Sequence, residues 1–189
     1  MDFVAQLWLP IVVSAVLVFI ASSLIHMVFK WHKSDYNKLA NEDEVRGVIR
    51  ASGAAPKQYV VPYCADMKDL QNPEMQKKFE EGPIAFITLK APGTPKMGGA
   101  MGMWFAYTFV IGAIAAYVAQ KTLMPAGPDV HFLQICRVVG VITFLAYVGG
   151  SIQNGIWMGK PWSSVAKEIL DGAIYAAVTA LTFAWLWPH

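Results

Sequence analysis

Long apolar runs and a single extended polar interval divide the chain. Leu7 to Phe29 contains no Asp, Glu, Lys or Arg; Met103 to Leu123 is uncharged until Lys121; Leu133 to Met158 is interrupted only by Arg137; and Ser164 to Trp187 is apolar after Asp171. A helix that crosses about 30 Å of hydrocarbon needs about 20 predominantly apolar residues, because each backbone N–H and C=O must be satisfied within its own segment. The pattern therefore predicts an all-α integral membrane protein. Its four transmembrane helices are placed at 1–29, with a short outer N-terminus, and at 103–123, 133–158 and 164–187. The short links between the last three make them antiparallel neighbours. Pro10 falls near the expected start of the first helix, where a missing N–H costs little.

The polar interval, 30–102, reads as a small α+β insert and a linker. Asn41 is placed to cap a short helix, with Glu42, Asp43 and Glu44 in its positive first turn, Glu44 at the capping-box position and Gly53 as the stop. Gln58 to Tyr63 and Ile84 to Leu89 have the β-branched and aromatic character of strands, and Pro62 argues for an edge. Between them Asn72-Pro73-Glu74 opens a helix that Gly82-Pro83 ends. Ala91 to Gly102, rich in Pro and Gly, reads as the linker into the second membrane helix. An insert of this size has a marginal core unless the membrane helices or a partner support it.

Composition sharpens this reading. Of 189 residues 56% are hydrophobic and only 15% charged, with a mean hydropathy of +0.41, whereas soluble domains carry roughly 25% charged residues. A net charge of +2 leaves no basic excess of the kind that marks a nucleic-acid partner. Lys30, Lys33 and Lys38 follow the first apolar run, Lys90 and Lys96 precede the second, and Lys160 and Lys167 flank the last turn. The positive-inside rule then places the insert in the cytoplasm and both termini on the other side. The first run lacks a positive n-region and is longer than a signal-peptide h-region, so it is expected to remain as a helix. Cys64 and Cys136, the only cysteines, are not expected to pair in a cytosolic and membrane setting, and two thiols are too few for Cys-rich zinc or iron–sulfur sites.

Helices associate in lipid by close backbone approach, which favours small residues four apart. Gly172, Ala176, Ala180 and Ala184 form such a stripe, as do Gly112 and Ala116, and they are expected to serve helix packing within the chain or a dimer seam. Trp104, Tyr107, Trp185 and Trp187 fit interfacial aromatic belts.

With a rise of about 1.5 Å per residue, Asp171 lies roughly 21 Å from Trp185, which leaves it about 9 Å inside the opposite edge of a 30 Å core. A carboxylate at that depth must be paired, protonated or reached by water. Lys167 precedes it by one turn and could pair with it, and Glu168 lies on an adjacent flank. Gln153 and Asn154, with His26, Ser22 and Ser23, fall at the same leaflet. His26, Gln153, Asn154, Lys167, Glu168 and Asp171 are thus expected to form a polar intramembrane cluster open to the cytoplasm; the competing reading is snorkelling and structural hydrogen bonding between helices. Arg137 belongs near the outer end of the third helix, snorkelling to headgroups.

No catalytic residue, cofactor or metal site emerges from spacing. His26 is the only histidine within a span, with His32, His131 and His189 outside, so bis-histidine haem is not expected. Cys64 with Met67 lacks the histidine that would make a copper site convincing, and no base accompanies Cys64 as a nucleophile. Gly155 to Lys160 has a phosphate-loop look, but the spacing is one short and no Ser or Thr follows the lysine.

Gly159-Lys160-Pro161-Trp162, then Asp171-Gly172, Tyr175 and Phe183-Ala184-Trp185-Leu186-Trp187-Pro188 give the last third of the chain a resemblance, to which the separate stretch His32 to Tyr36 adds. It resembles the closing segment of small bacterial four-span inner-membrane proteins. The resemblance implies a bacterial inner-membrane location and attaches no activity. The expected function is a non-catalytic accessory, assembly or scaffold protein acting through helix–helix and insert-mediated contacts. Its partners would be the bilayer and a membrane-protein partner or a second copy. The alternatives are a small oligomeric permease or channel subunit with its polar cavity around Asp171 and, third, a membrane enzyme acting through the insert.

Overall fold

The computed structural model describes residues 2–126 and 130–188. Residues 127–129 of the Met124 to Phe132 connection, and His189, lie outside the described residues. Two units divide the chain, Met1–Tyr36 with Lys96–His189, and Asn37–Pro95.

The first unit is helical. Helix α1 spans Asp2–Ser23 and is followed by a π-helical turn, Leu24–Val28, and a 3-10 turn, Lys30–Asp35. After the second unit, which holds α2 (Glu42–Ala51), β1 (Gln58–Val61), α3 (Pro73–Glu81) and β2 (Ala85–Thr88), come α4 (Met97–Leu123), α5 (Phe132–Met158) and α6 (Trp162–Trp185). Among the described residues four helices are long and apolar enough to cross a membrane: Val4–Val28, Met97–Leu123, Phe132–Met158 and Trp162–Trp185. Helix α1 packs on α4 and α6, and α5 on the same two, giving a ring in the order α1, α4, α5, α6.

Local chemistry sets the tightest corner. Gly159 at φ 66° closes α5 in the left-handed conformation that favours glycine. The Lys160 N–H returns to the Asn154 carbonyl, and Pro161 then opens α6, its carbonyl accepting from the N–H groups of Ser164 and Val165. At the far end His131 and Gln134 exchange capping bonds that start α5.

Several boundaries differ from the expected ones. Pro10 sits inside α1, and the strain is relieved one turn earlier, where Leu7 leaves helical geometry at φ −117°, ψ 17°. Helix α4 begins at Met97, six residues before the charge-free run, because backbone hydrogen bonding continues through Gly98, Gly99 and Gly102. Seven residues that the polar pattern assigned to the insert, Lys30–Tyr36, belong to the helical unit. Trp187, assigned to an aromatic belt, is buried in the cluster that holds Leu7, Leu123 and Phe183, while Trp185 points outward.

The interior has two apolar parts. One, at the Leu123 and Trp185 end, collects Leu7, Ile11, Ala115, Ala119, Ile135, Val139 and Phe183; the other collects Val18, Ile25 and Tyr175. Small residues set the helix separations within the bundle. Gly112, Ala116, Gly172, Ala176, Ala180 and Ala184 are all buried. A Cβ at Gly172 would lie 2.5 Å from Val148 Cγ2, and one at Gly112 would lie 3.5 Å from Ser14 Oγ. Gly172 therefore marks a close approach of two helices inside one chain, whereas Gly112 makes an ordinary contact.

In the second unit β1 and β2 pair antiparallel, from Gln58 opposite Thr88 to Val61 opposite Ala85. Asn72 accepts from the Glu74 N–H and Pro73 takes the first helical position of α3. Asn41 occupies the N-cap of α2 but its side chain makes no capping bond. No described residue of this unit is buried, so the unit has secondary structure without a core of its own.

Candidate functional site

The polar centre is built where the chain leaves α1. In the π turn, which holds His26, the Phe29 N–H reaches back to the Leu24 carbonyl, 3.0 Å away. Phe29 is extended, and the 3-10 turn that follows brings residues three apart onto one face. His32 and Asp35 are such a pair: His32 Nδ1 lies 2.7 Å from Asp35 Oδ2.

Helix α6 supplies the opposing wall. Ser164, Lys167 and Asp171 recur at helical spacing on the face turned toward this turn. Lys167 Nζ donates to Asp35 Oδ1 at 2.6 Å, to the Trp31 carbonyl at 2.7 Å and to Ser34 Oγ at 2.8 Å, so each ammonium proton has an acceptor. Ser164 Oγ donates to the same Asp35 oxygen at 3.1 Å. The Lys167 hydrogen bond holds the Asp35 carboxyl down at about 2, with help from His32 and Ser164 and against the effect of burial. Because Asp35 already accepts from Lys167 and Ser164, His32 Nδ1 faces it as the donor.

The other ring nitrogen of His32 faces Asp171. Nε2 to Oδ2 is 2.8 Å, and the Asp171 side chain is only 5% exposed. One proton on that line satisfies Oδ2, but Asp171 Oδ1 is buried with no hydrogen-bond partner. His26 Nε2 lies 3.9 Å from Asp171 Oδ2 and 3.4 Å from the Tyr175 hydroxyl, its ring centroid 4.7 Å from that of His32. The nitrogens of both imidazoles and the Asp171 carboxylate offer ligand atoms all within 4.8 Å of one another.

Below this centre an aromatic layer closes the bundle. Trp104, Tyr147 and Tyr175 meet with centroids 5.5 to 6.2 Å apart, and Tyr107 abuts Trp104 and Tyr147. The Trp104 indole N–H donates to Ser22 Oγ at 2.8 Å, so this tryptophan serves as an interior strut where an interfacial belt residue was expected. Above the centre a cleft of about 330 Å³ is lined by His26, His32, Asp35, Lys160, Ser164 and Glu168.

Among the six residues expected to cluster, His26 and Asp171 come together. Lys167 lies alongside but pairs with Asp35, not with Asp171; the 3-10 turn places a second carboxylate closer to its ammonium than the one four residues ahead on its own helix. Glu168 pairs with Lys160 at the rim. Gln153 and Asn154 are exposed on α5, away from the contacts of the centre; the Asn154 carbonyl is occupied in ending that helix. Arg137 is exposed on α5, and Cys64 and Cys136 are free thiols.

His32, Asp35 and Ser164 were missed. His32 and Asp35 sit in a charged stretch after the apolar run and read as solvated residues; only the i, i+3 spacing of a His and an Asp hinted at a pair. No family model, no curated protein and no solved structure matches the chain.

Proposed function

We propose that the chain is a multi-pass protein of a bacterial inner membrane that works as an accessory or assembly factor, presenting its polar centre at the cytoplasmic side. Apolar side chains turned outward along every long helix, such as Val12, Ile20, Ile114, Leu145 and Leu181, support lipid as their solvent. The gathering of Lys30, Lys33, Lys96, Lys160 and Lys167 at the end where the centre lies, with only Lys121 and Arg137 toward the other, supports the orientation.

The observation that carries the accessory reading over a permease is the sealed half of the bundle beyond the aromatic layer. Leu7, Ala115, Ala119, Val139 and Phe183 are fully buried there. The buried hydroxyls of Ser14, Thr108, Thr143, Thr179 and Thr182 all donate to carbonyls of their own helices. With these hydroxyls engaged by their own helices and apolar side chains filling the rest, an ion inside one chain would find little to replace its hydration there. Purification in mild detergent followed by mass spectrometry of intact complexes should show a co-eluting partner chain, and proteoliposomes should show no proton or alkali-ion flux above empty vesicles. A strictly isolated monomer, or flux above the empty control, overturns the reading.

A further inference from the structure

We infer that His26, His32 and Asp171 form a binding site for one divalent first-row transition-metal ion, with Asp35 orienting His32. The donor set is two imidazole nitrogens and a carboxylate, drawn from three separate stretches: the π turn, the 3-10 turn and α6. Nitrogen and oxygen donors of this mixture suit zinc, iron or cobalt, whereas calcium and magnesium favour all-oxygen shells.

The distances fit with small movements. Around a tetrahedral zinc, with bonds of about 2.0 to 2.2 Å, neighbouring donor atoms stand about 3.3 Å apart. Asp171 Oδ2 lies 2.8 Å from His32 Nε2 and 3.9 Å from His26 Nε2, one pair closer and one farther than that spacing. Opening the first by about half an ångström and closing the second by about as much, while the three donor atoms, now within 4.8 Å of one another, draw together between the two imidazoles, seats the ion. His26 is on a half-exposed π turn, 52% exposed at its side chain, and can make the larger share of the shift.

Two further features are what a metal centre needs and a plain hydrogen-bond network does not. Asp171 Oδ1 is buried without a partner, so hydrogen bonding alone leaves half of the carboxylate unused; a cation bound at this carboxylate compensates its buried charge. His32 donates its Nδ1–H to Asp35 at 2.7 Å, the carboxylate–histidine arrangement that fixes a ligating ring and leaves Nε2 for the ion. Asp35 is in turn fixed by Lys167 and Ser164. Three protein ligands leave one position, and a cleft that both imidazoles line together with Lys160 and Glu168 gives access to the site. The site therefore takes an exogenous fourth ligand, water or a small anion.

Metal binding is measured on the chain alone, so it stands or falls separately from the partner sought above. The tag-free full-length protein, in detergent and stripped with a chelator, is titrated with Zn²⁺ and analysed for retained metal, with Co²⁺ as the spectroscopic probe. One equivalent of Zn²⁺ should be retained, and Co²⁺ should give visible bands of a low-coordinate nitrogen and oxygen site. His26→Ala, His32→Ala and Asp171→Asn should each weaken binding at least 100-fold, Asp35→Asn should weaken it about 10- to 100-fold with unchanged stoichiometry, and His131→Ala should leave it unchanged. Because Asp171→Asn could fail to fold, the half-exposed His26→Ala decides in that event. Wild-type retention in His26→Ala, or no retention in the parent protein, overturns the site.

Discussion

His32 and Asp171, 139 positions apart, meet at 2.8 Å between Nε2 and Oδ2. Their meeting ties the exit of α1 to the first half of α6, and it depends on the 3-10 turn folding back rather than continuing outward. A lysine secures that fold. Lys167 joins α6 to Asp35, to the Trp31 carbonyl and to Ser34.

Lys167→Met should therefore loosen the turn and destabilise the helical unit. Breaking a buried ion pair on one side costs about 3–5 kcal/mol; with Lys167 25% exposed, partial rehydration should reduce this to about 2–3 kcal/mol. Thermal unfolding in detergent should show a Tm lowered by roughly 5–10 °C. If the charge pair is the cause, Asp35→Asn in the Lys167→Met background should add much less than it does alone, a non-additivity of about 1–3 kcal/mol in a double-mutant cycle. Strict additivity would remove the pair from the account.

Gly172 and Gly140 offer a paired test of helix approach. At Gly172 an added methyl meets Val148 Cγ2 at 2.5 Å, and a β-branched valine in a helix has almost no freedom to turn aside. At Gly140 the nearest atom is Ala180 Cβ at 3.5 Å, an ordinary contact. Alanine gains about 1 kcal/mol of helix propensity over glycine at either position, against about 1–3 kcal/mol of overpacking at Gly172 only. Gly172→Ala should lower Tm and Gly140→Ala should hold or raise it. Equal effects at the two sites would show that close approach of α5 and α6 is not limiting.

Trp104→Phe separates the indole N–H from the ring. The ring contacts with Tyr147 and Tyr175 are largely kept, while the bond to Ser22 Oγ is lost. The loss should be about 1 kcal/mol. Ser22→Ala should cost about as much, and combining the two should cost little more than either. Full additivity in equilibrium unfolding would place the tryptophan's contribution in its ring alone.

The long helices were legible because a span is a local property: apolar length decides it, and no distant contact is needed. What surrounds Asp171 was not, since its nearest partner is set by how the chain turns after Ser23. The run Leu24 to Phe29 is apolar throughout except for His26, so nothing in its periodicity distinguishes an α turn from the π turn that forms. Lys30 to Asp35 is charged enough to read as solvated, and its burial against α6 is a tertiary effect. Lys167 was assigned to Asp171 by spacing along one helix; Asp35 takes it because its Oδ1, the Trp31 carbonyl and Ser34 Oγ converge there. Trp185 and Trp187 look alike in sequence, yet α6 ends between them, and the chain's departure from helical geometry turns the second inward.

Bound metal should also be visible as stability. An ion that binds only the folded chain adds RT ln(1 + [L]/Kd), about 2.7 kcal/mol when free metal is 100 times Kd. For a chain of this size that corresponds to a rise in Tm of roughly 5–11 °C. Three groups that lie at the junction of α1 and α6 would carry the whole of it, because the unfolded chain separates His32 from Asp171 by the intervening α2 to α5. Zn²⁺ should thus raise Tm in the parent protein, and excess chelator should reverse the rise. In His26→Ala the shift should fall below about 2 °C at the same free metal, since a 100-fold weaker site is then only half filled. Weak binding at surface histidines such as His131 would give a different signature, a shift that persists in His26→Ala and disappears in His131→Ala. Observing that second pattern would move the ion off the α1–α6 junction and leave the Asp171 carboxylate to hydrogen bonding alone.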